Sequence, residues 1–168
     1  MTPNVKRSDT IVRISVLLII GCMVTGGGCS KPTGGLLTVE IAEQFLADND
    51  SVRLQQFTSI EDAAAEALAK HKGALMLEGL TSISDAAAAA LGNHDSNLNL
   101  GGLTSISDAQ AEAFAKHQGG YLALYGLTEL SDDAAEALAK YEGRLCVDHD
   151  KLPPSAYKIL KDAGHDGF

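Results

Sequence analysis

Three histidines recur at one phase in this 168-residue chain: His71, His94 and His117 stand 23 residues apart, and Tyr141 follows 24 later. Neutral imidazole is a common metal ligand, so a column of histidines is the first chemistry to weigh. No aspartate or cysteine recurs beside them to complete a ligand set. At one ring per 23 residues, adjacent units are expected to space the rings widely. Capping of helix C-termini is the role these positions carry, and no metal or other cofactor is assigned. Ser84, Ser107 and Ser131 recur in the same way, each followed by an aspartate. An active site needs one unique constellation, and a serine repeated three times does not supply it. The chain has no G-x-S-x-G, no phosphate-binding glycine loop and no H-E-x-x-H. The sequence predicts no catalysis.

The spacing that repeats the histidines also repeats a longer phrase. Leu75, Leu77, Leu80 and Ile83 are matched by Leu98, Leu100, Leu103 and Ile106, then by Leu122, Leu124, Leu127 and Leu130. A looser copy, Val52, Leu54, Phe57 and Ile60, precedes them, and Leu145 opens a later one. The alternation that opens each phrase is strand periodicity over a few residues. Gly79, Gly102 and Gly126 mark a bend that ends each strand. Ser-Asp then supplies an N-cap and a first-turn acid, with Glu61-Asp62 a weaker version. Alanine-rich helices are predicted over 63–70, 86–91, 109–116 and 134–140, because alanine has the best helix propensity. Leu68, Leu91, Phe114 and Leu138 anchor them at one phase, and Gly73, Gly119 and Gly143 are expected to stop them.

A unit of 23 or 24 residues is too small to bury its own apolar face, so such units stack. One short strand and one helix per unit predicts an α/β fold: a right-handed β-α solenoid, with a short parallel sheet on one side and alanine-rich helices on the other. Helical-hairpin units need about 33 to 47 residues and do not fit this period.

On these residues the units resemble leucine-rich repeats, in particular the cysteine-containing subtype. Here Leu80, Leu103 and Leu127 stand where that subtype has cysteine, and Ser-Asp replaces its Thr-Asp. The resemblance covers residues 52–148. It implies a curved solenoid that binds other molecules, most often proteins, and it implies no catalysis.

If the leucines face the core, alternate residues line the outer sheet face. Three rows result: Ser51, Ala74, Asn97, Tyr121 and Arg144; Arg53, Met76, Asn99, Ala123 and Cys146; Gln55, Glu78, Gly101, Tyr125 and Asp148. Strands lie about 4.8 Å apart. Tyr121 and Tyr125 therefore fall near Asn97, Asn99, Arg144 and Asp148, a mixed aromatic and polar patch suited to binding a protein. A solvated face without a ligand is the competing reading.

Arrays need atypical ends to cover the core. A shift of 23 places Leu37 on Ile60 and Phe45 on Leu68, which makes residues 37–51 a helical N-terminal cap. Pro153-Pro154-Ser155 opens a last helix, so residues 149–168 form a C-terminal cap and tail. At the other extreme, Lys6, Arg7 and Arg13 precede an apolar run over 14–24, short for a membrane span but suited to a signal peptide. The small residues leading into Cys29 resemble a bacterial lipoprotein signal over residues 1–28, with Cys29 lipidated and residues 29–36 a flexible tether. Cys22 is the competing position.

The chain carries 13 basic and 22 acidic residues. Removing residues 1–28, with three basic and one acidic, leaves 10 against 21, or −11. That balance argues against nucleic acid, which calls for a basic face. Cys146 is then left as a lone thiol, so no disulfide framework exists. The reading is an exported, lipid-anchored module of the bacterial cell envelope that binds a protein. A structural or spacer protein is the alternative.

Overall fold

The computed structural model describes residues 34–165. The signal segment over 1–28, Cys22, Cys29, most of the tether and residues 166–168 lie outside the described residues. The chain alternates short strands with helices and is α/β. In order come β1 (Leu36–Leu37), α1 (Val39–Ala47), a 3₁₀ turn (Leu54–Gln56), β2 (Ser59–Ile60) and α2 (Asp62–Leu68). Then follow β3 (Leu75–Met76), α3 (Asp85–Gly92), β4 (Leu98–Asn99), α4 (Asp108–Ala115) and β5 (Tyr121–Leu124). The last elements are α5 (Asp132–Leu138), β6 (Arg144–Val147) and α6 (Pro154–Asp162).

Strands β3 to β6 form one parallel sheet in sequence order. Leu75, Leu98, Leu122 and Leu145 are successive register partners, so the sheet advances by the 23- and 24-residue spacing. A second parallel pair, β1 with β2, sets Leu37 opposite Ile60, the same offset. Each helix packs on the next one in sequence. Leu37, Leu75, Leu98, Leu122 and Leu124 of the strands, alanines such as Ala64, Ala87, Ala111 and Ala134 of the helices, and Phe114 are fully buried. At the C-terminal end Ala156 and Leu160 of α6 are buried, with Ile159 packed against the same core.

The looser first phrase does not make a strand at Val52. Leu54–Gln56 closes a 3₁₀ turn instead, with Gln56 and Phe57 donating to the carbonyls of Arg53 and Leu54 at 3.3 Å. Its backbone groups are used locally, so the sheet begins at β3, and the outer rows lose Ser51, Arg53 and Gln55 from their start.

The Ser-Asp pairs do more than cap. Ser84, Ser107 and Ser131 accept the N–H of Ala87, Gln110 and Ala134, and Gln110 returns a bond to Ser107 to complete a capping box. Each hydroxyl also donates to the first-turn aspartate of the preceding helix. The pairs are Ser84 to Asp62, Ser107 to Asp85 at 2.8 Å and Ser131 to Asp108 at 2.5 Å. Glu61 caps nothing in its own helix; its carboxylate accepts the N–H of Val39 in α1 at 3.2 Å.

Gly79, Gly102 and Gly126 lie in turns after the strands, as expected, but the glycines expected to stop the helices do not. The helices end four or more residues before Gly73, Gly119 and Gly143, at residues with right-handed helical torsions. Gly164 alone among the described residues has positive φ. What Gly102 and Gly126 provide is close approach. A Cβ on Gly102 would sit 2.2 Å from the Glu78 carbonyl oxygen, and one on Gly126 would sit 2.4 Å from that of Gly101. Backbone meets backbone there, and no side chain can move aside.

Gly102→Ala therefore costs about 1–3 kcal/mol in urea unfolding, the range for overpacking. Gly120, which has nothing within 4 Å of its would-be Cβ, tolerates alanine to within about 0.5 kcal/mol. Equal losses at both positions would contradict the close-approach explanation.

Candidate functional site

Strands β5 and β6 run for four residues each, twice the length of β3 and β4, and they carry the outer face. Alternation sends Leu122 and Leu124 inward and Tyr121, Ala123 and Tyr125 outward. Tyr121 is half-buried and Tyr125 is 37% exposed. Their hydroxyls meet at 2.5 Å. The two rings, four residues apart, bracket Ala123, whose register partner is Cys146.

That bracket changes the surface. Ala123 and Cys146 face outward, yet both are fully buried. The Tyr121 phenol is pushed well above its ordinary value, first by the Tyr125 hydroxyl, then by burial and by the Cys146 thiol. The second outer row is therefore closed at these two positions. A small residue and a thiol are covered by the large side chains beside them.

Beside the tyrosines lies an open depression of about 280 Å³ lined by Met76, Asn97, Asn99 and Tyr121. Met76 is 41% exposed, a large apolar side chain left uncovered. Asn97 is exposed. Asn99 is already engaged: its amide donates to Glu78 at 2.9 Å and its oxygen accepts the Gly101 N–H at 3.0 Å. Arg144 is exposed and stands opposite Tyr121 in register.

Asp148 belongs to a different arrangement. Its carboxylate pairs with Lys151 at 2.7 Å, and Lys151 also reaches the Tyr125 carbonyl at 3.3 Å. Lys151 holds the Asp148 carboxyl below the usual range. The structure thus gathers Asn97, Asn99 and Tyr121 at one depression, sets Tyr125 and Arg144 alongside, and ties Asp148 to a lysine. The depression adds Met76, whose place in the outer rows was the signal for it. Lys151 was missed, and its position three residues after Asp148 was the available signal.

Among the described residues, only Asp148, His149 and Asp150 bring three potential metal-ligating atoms within 4.8 Å of one another. Asp148 there is neutralised by Lys151 and bonded by the Asp150 N–H at 3.2 Å. The histidines are not widely spaced, contrary to the sequence expectation. His94 and His117, both buried, stack at 6.1 Å, and His117 and Tyr141 at 6.0 Å.

With Cys22 and Cys29 changed to serine, native Cys146 should resist a thiol reagent, since a buried thiol is inert. Tyr121→Ala opens the cover and makes the thiol react without global unfolding. Tyr121→Phe loses only a hydroxyl bond, about 1 kcal/mol, and keeps the thiol protected. Equal protection in the alanine variant would show that the tyrosine is not the cover.

Compared with known proteins, the chain matches no family model, no curated protein and no solved structure.

Proposed function

We propose that this chain is a non-enzymatic protein-interaction module, exported and held at the bacterial cell envelope by a lipid on Cys29. Its folded part is a right-handed solenoid resembling leucine-rich repeats, and the outer face of β3–β6 is the contact surface. The parallel register at offsets of 23, 24 and 23 residues supports the solenoid reading. The observation that carries the interaction reading is the depression at Met76, Asn97, Asn99 and Tyr121, with exposed Tyr125 beside it. An uncovered methionine and tyrosine amid amides and an arginine match the composition of interface cores. Among the described residues no helix is long and apolar enough to cross a membrane.

One observation favours a purely structural role. The tyrosine hydroxyls satisfy each other and Asn99 is bonded to Glu78, so much of the face's polar capacity is used internally.

Photo-crosslinking in the native host separates the two. A crosslinker at Asn97 gives a discrete protein adduct, and one at exposed Glu112 on the helix side does not. Met76→Glu removes the adduct while changing stability by no more than about 0.5 kcal/mol, as expected of an exposed position. Intact mass of the same preparation shows a lipidated chain beginning at Cys29. Adducts equal at both positions, or none at either, would leave the spacer reading; an unlipidated chain would remove the anchor.

A further inference from the structure

A column of rings runs along the helix exits. Phe45 of α1 meets His71 edge-on at 5.3 Å. Beyond it His94, His117, Tyr141 and His165 stack in sequence, with centroids 6.1, 6.0 and 6.5 Å apart and planes within 26°. The middle of the column is buried: His94 fully, with His117 5% exposed and Tyr141 3% exposed.

Buried polar groups are normally hydrogen-bonded. Tyr141 obeys this, donating its hydroxyl to the Gly119 carbonyl. His94 reaches the Ala69 carbonyl, at the end of α2, at a long 3.4 Å. The other nitrogen of His94 and both nitrogens of His117 make no well-aligned hydrogen bond. A neutral imidazole tolerates this at moderate cost. A buried imidazolium without an anionic partner does not, because burying an unpaired charge is far more expensive.

We propose that this column is an acid-sensitive catch: neutral His117, stacked between His94 and Tyr141, holds the helix exits closed, and its protonation releases them.

Backbone groups of Ser96, Gly92 and His94 face His117 and offset part of the cost of charging it, but the charged side chains around it offer little more. On the exit of α2 stand His71 and Lys72, and on that of α3 stands Asp95. Asp95 is paired with Lys72 at 2.5 Å, which holds its carboxyl below the usual range, so its charge is already met. Lys116 follows α4, and Lys140 and Glu142 follow α5; these three rim the hollow at His117. Two ammonium groups against one carboxylate oppose a further positive charge. Tyr141 stays a neutral phenol, pushed up to about 12 by burial and by Cys146 of β6. His165, after α6, ends the stack half-exposed.

Burial pushes the His117 imidazole below its ordinary value, with His94 adding to the shift and backbone groups of Ser96, Gly92 and His94 opposing it. His71 is lowered by the same two causes. A lowered imidazole means that the unfolded chain binds more protons below about pH 6.5. Stability is therefore full above that pH and is lost as the pH falls through it, until the folded rings themselves protonate.

Urea unfolding of the full chain between pH 8 and pH 5 tests the catch. The folding equilibrium constant should be flat above pH 7 and fall below about 6.5, by up to about tenfold per pH unit for each imidazole that stays neutral. H117F should flatten that fall, whereas H149Q, on an exposed loop, should not. A fall that H117F leaves unchanged would overturn the proposal. If H117F does not fold, ring-proton NMR on the native chain decides. A His117 ring still neutral at pH 6 supports the catch, and one titrating at or above about 6.5 overturns it.

Discussion

Successive strand–helix units approach one another at backbone distance, and the rest of the structure depends on that contact. At Gly102 and Gly126 the chain lies against the carbonyl oxygens of the unit before it, with no room for a Cβ. The approach fixes an offset of 23 or 24 residues between neighbours. Once the offset is fixed, like must stack on like. Leucine falls on leucine in the strands, serine hydroxyl on aspartate at the helix starts, and ring on ring at the helix exits. None of these interactions is large alone. Their register is shared, so each reinforces the same offset, which is the consistency expected of a sequence that specifies one structure.

The helix layer obeys the same constraint. Alanine at the buried helix positions lets neighbouring helices come close, and a single larger side chain per helix, such as Leu91 or Phe114, fills the space toward the sheet. With the inner face occupied by aliphatic side chains, variation falls to the outer face of the sheet. There β5 and β6 lengthen, the tyrosines appear, and Met76 is left uncovered. The chain thus separates a uniform scaffold from one irregular surface, which is where a functional reading has to look.

Much of the scaffold was legible because its signals are local and periodic. The register of Leu75, Leu98, Leu122 and Leu145, the Ser-Asp helix starts, and the shift that sets Leu37 on Ile60 follow from counting residues. The misses share a cause: they depend on contacts between units rather than within one. Val52 fits the strand phrase, yet Leu54–Gln56 turns on itself. Gly73, Gly119 and Gly143 read as helix stops, yet the helices end before them, and the close approach at Gly102 and Gly126 adds to the bends read there. Alternation placed Ala123 and Cys146 outward but could not show that Tyr121 and Tyr125 close over them. Sequence arithmetic expects the histidines widely spaced, and only the burial of His94 and His117 brings their rings to stacking distance.

Distances along the helix layer test the shared offset most directly. Spin labels at exposed Glu66, Glu112 and Glu136 sit on α2, α4 and α5. With helices packed in sequence order at about 8–10 Å each, the Glu66–Glu112 pair should measure about 16–20 Å and the Glu66–Glu136 pair about 24–30 Å. A distance that grows with each added unit is what stacked units require. A Glu66–Glu136 distance no longer than the Glu66–Glu112 distance would mean that the helices fold back on one another, and the register described above would be wrong.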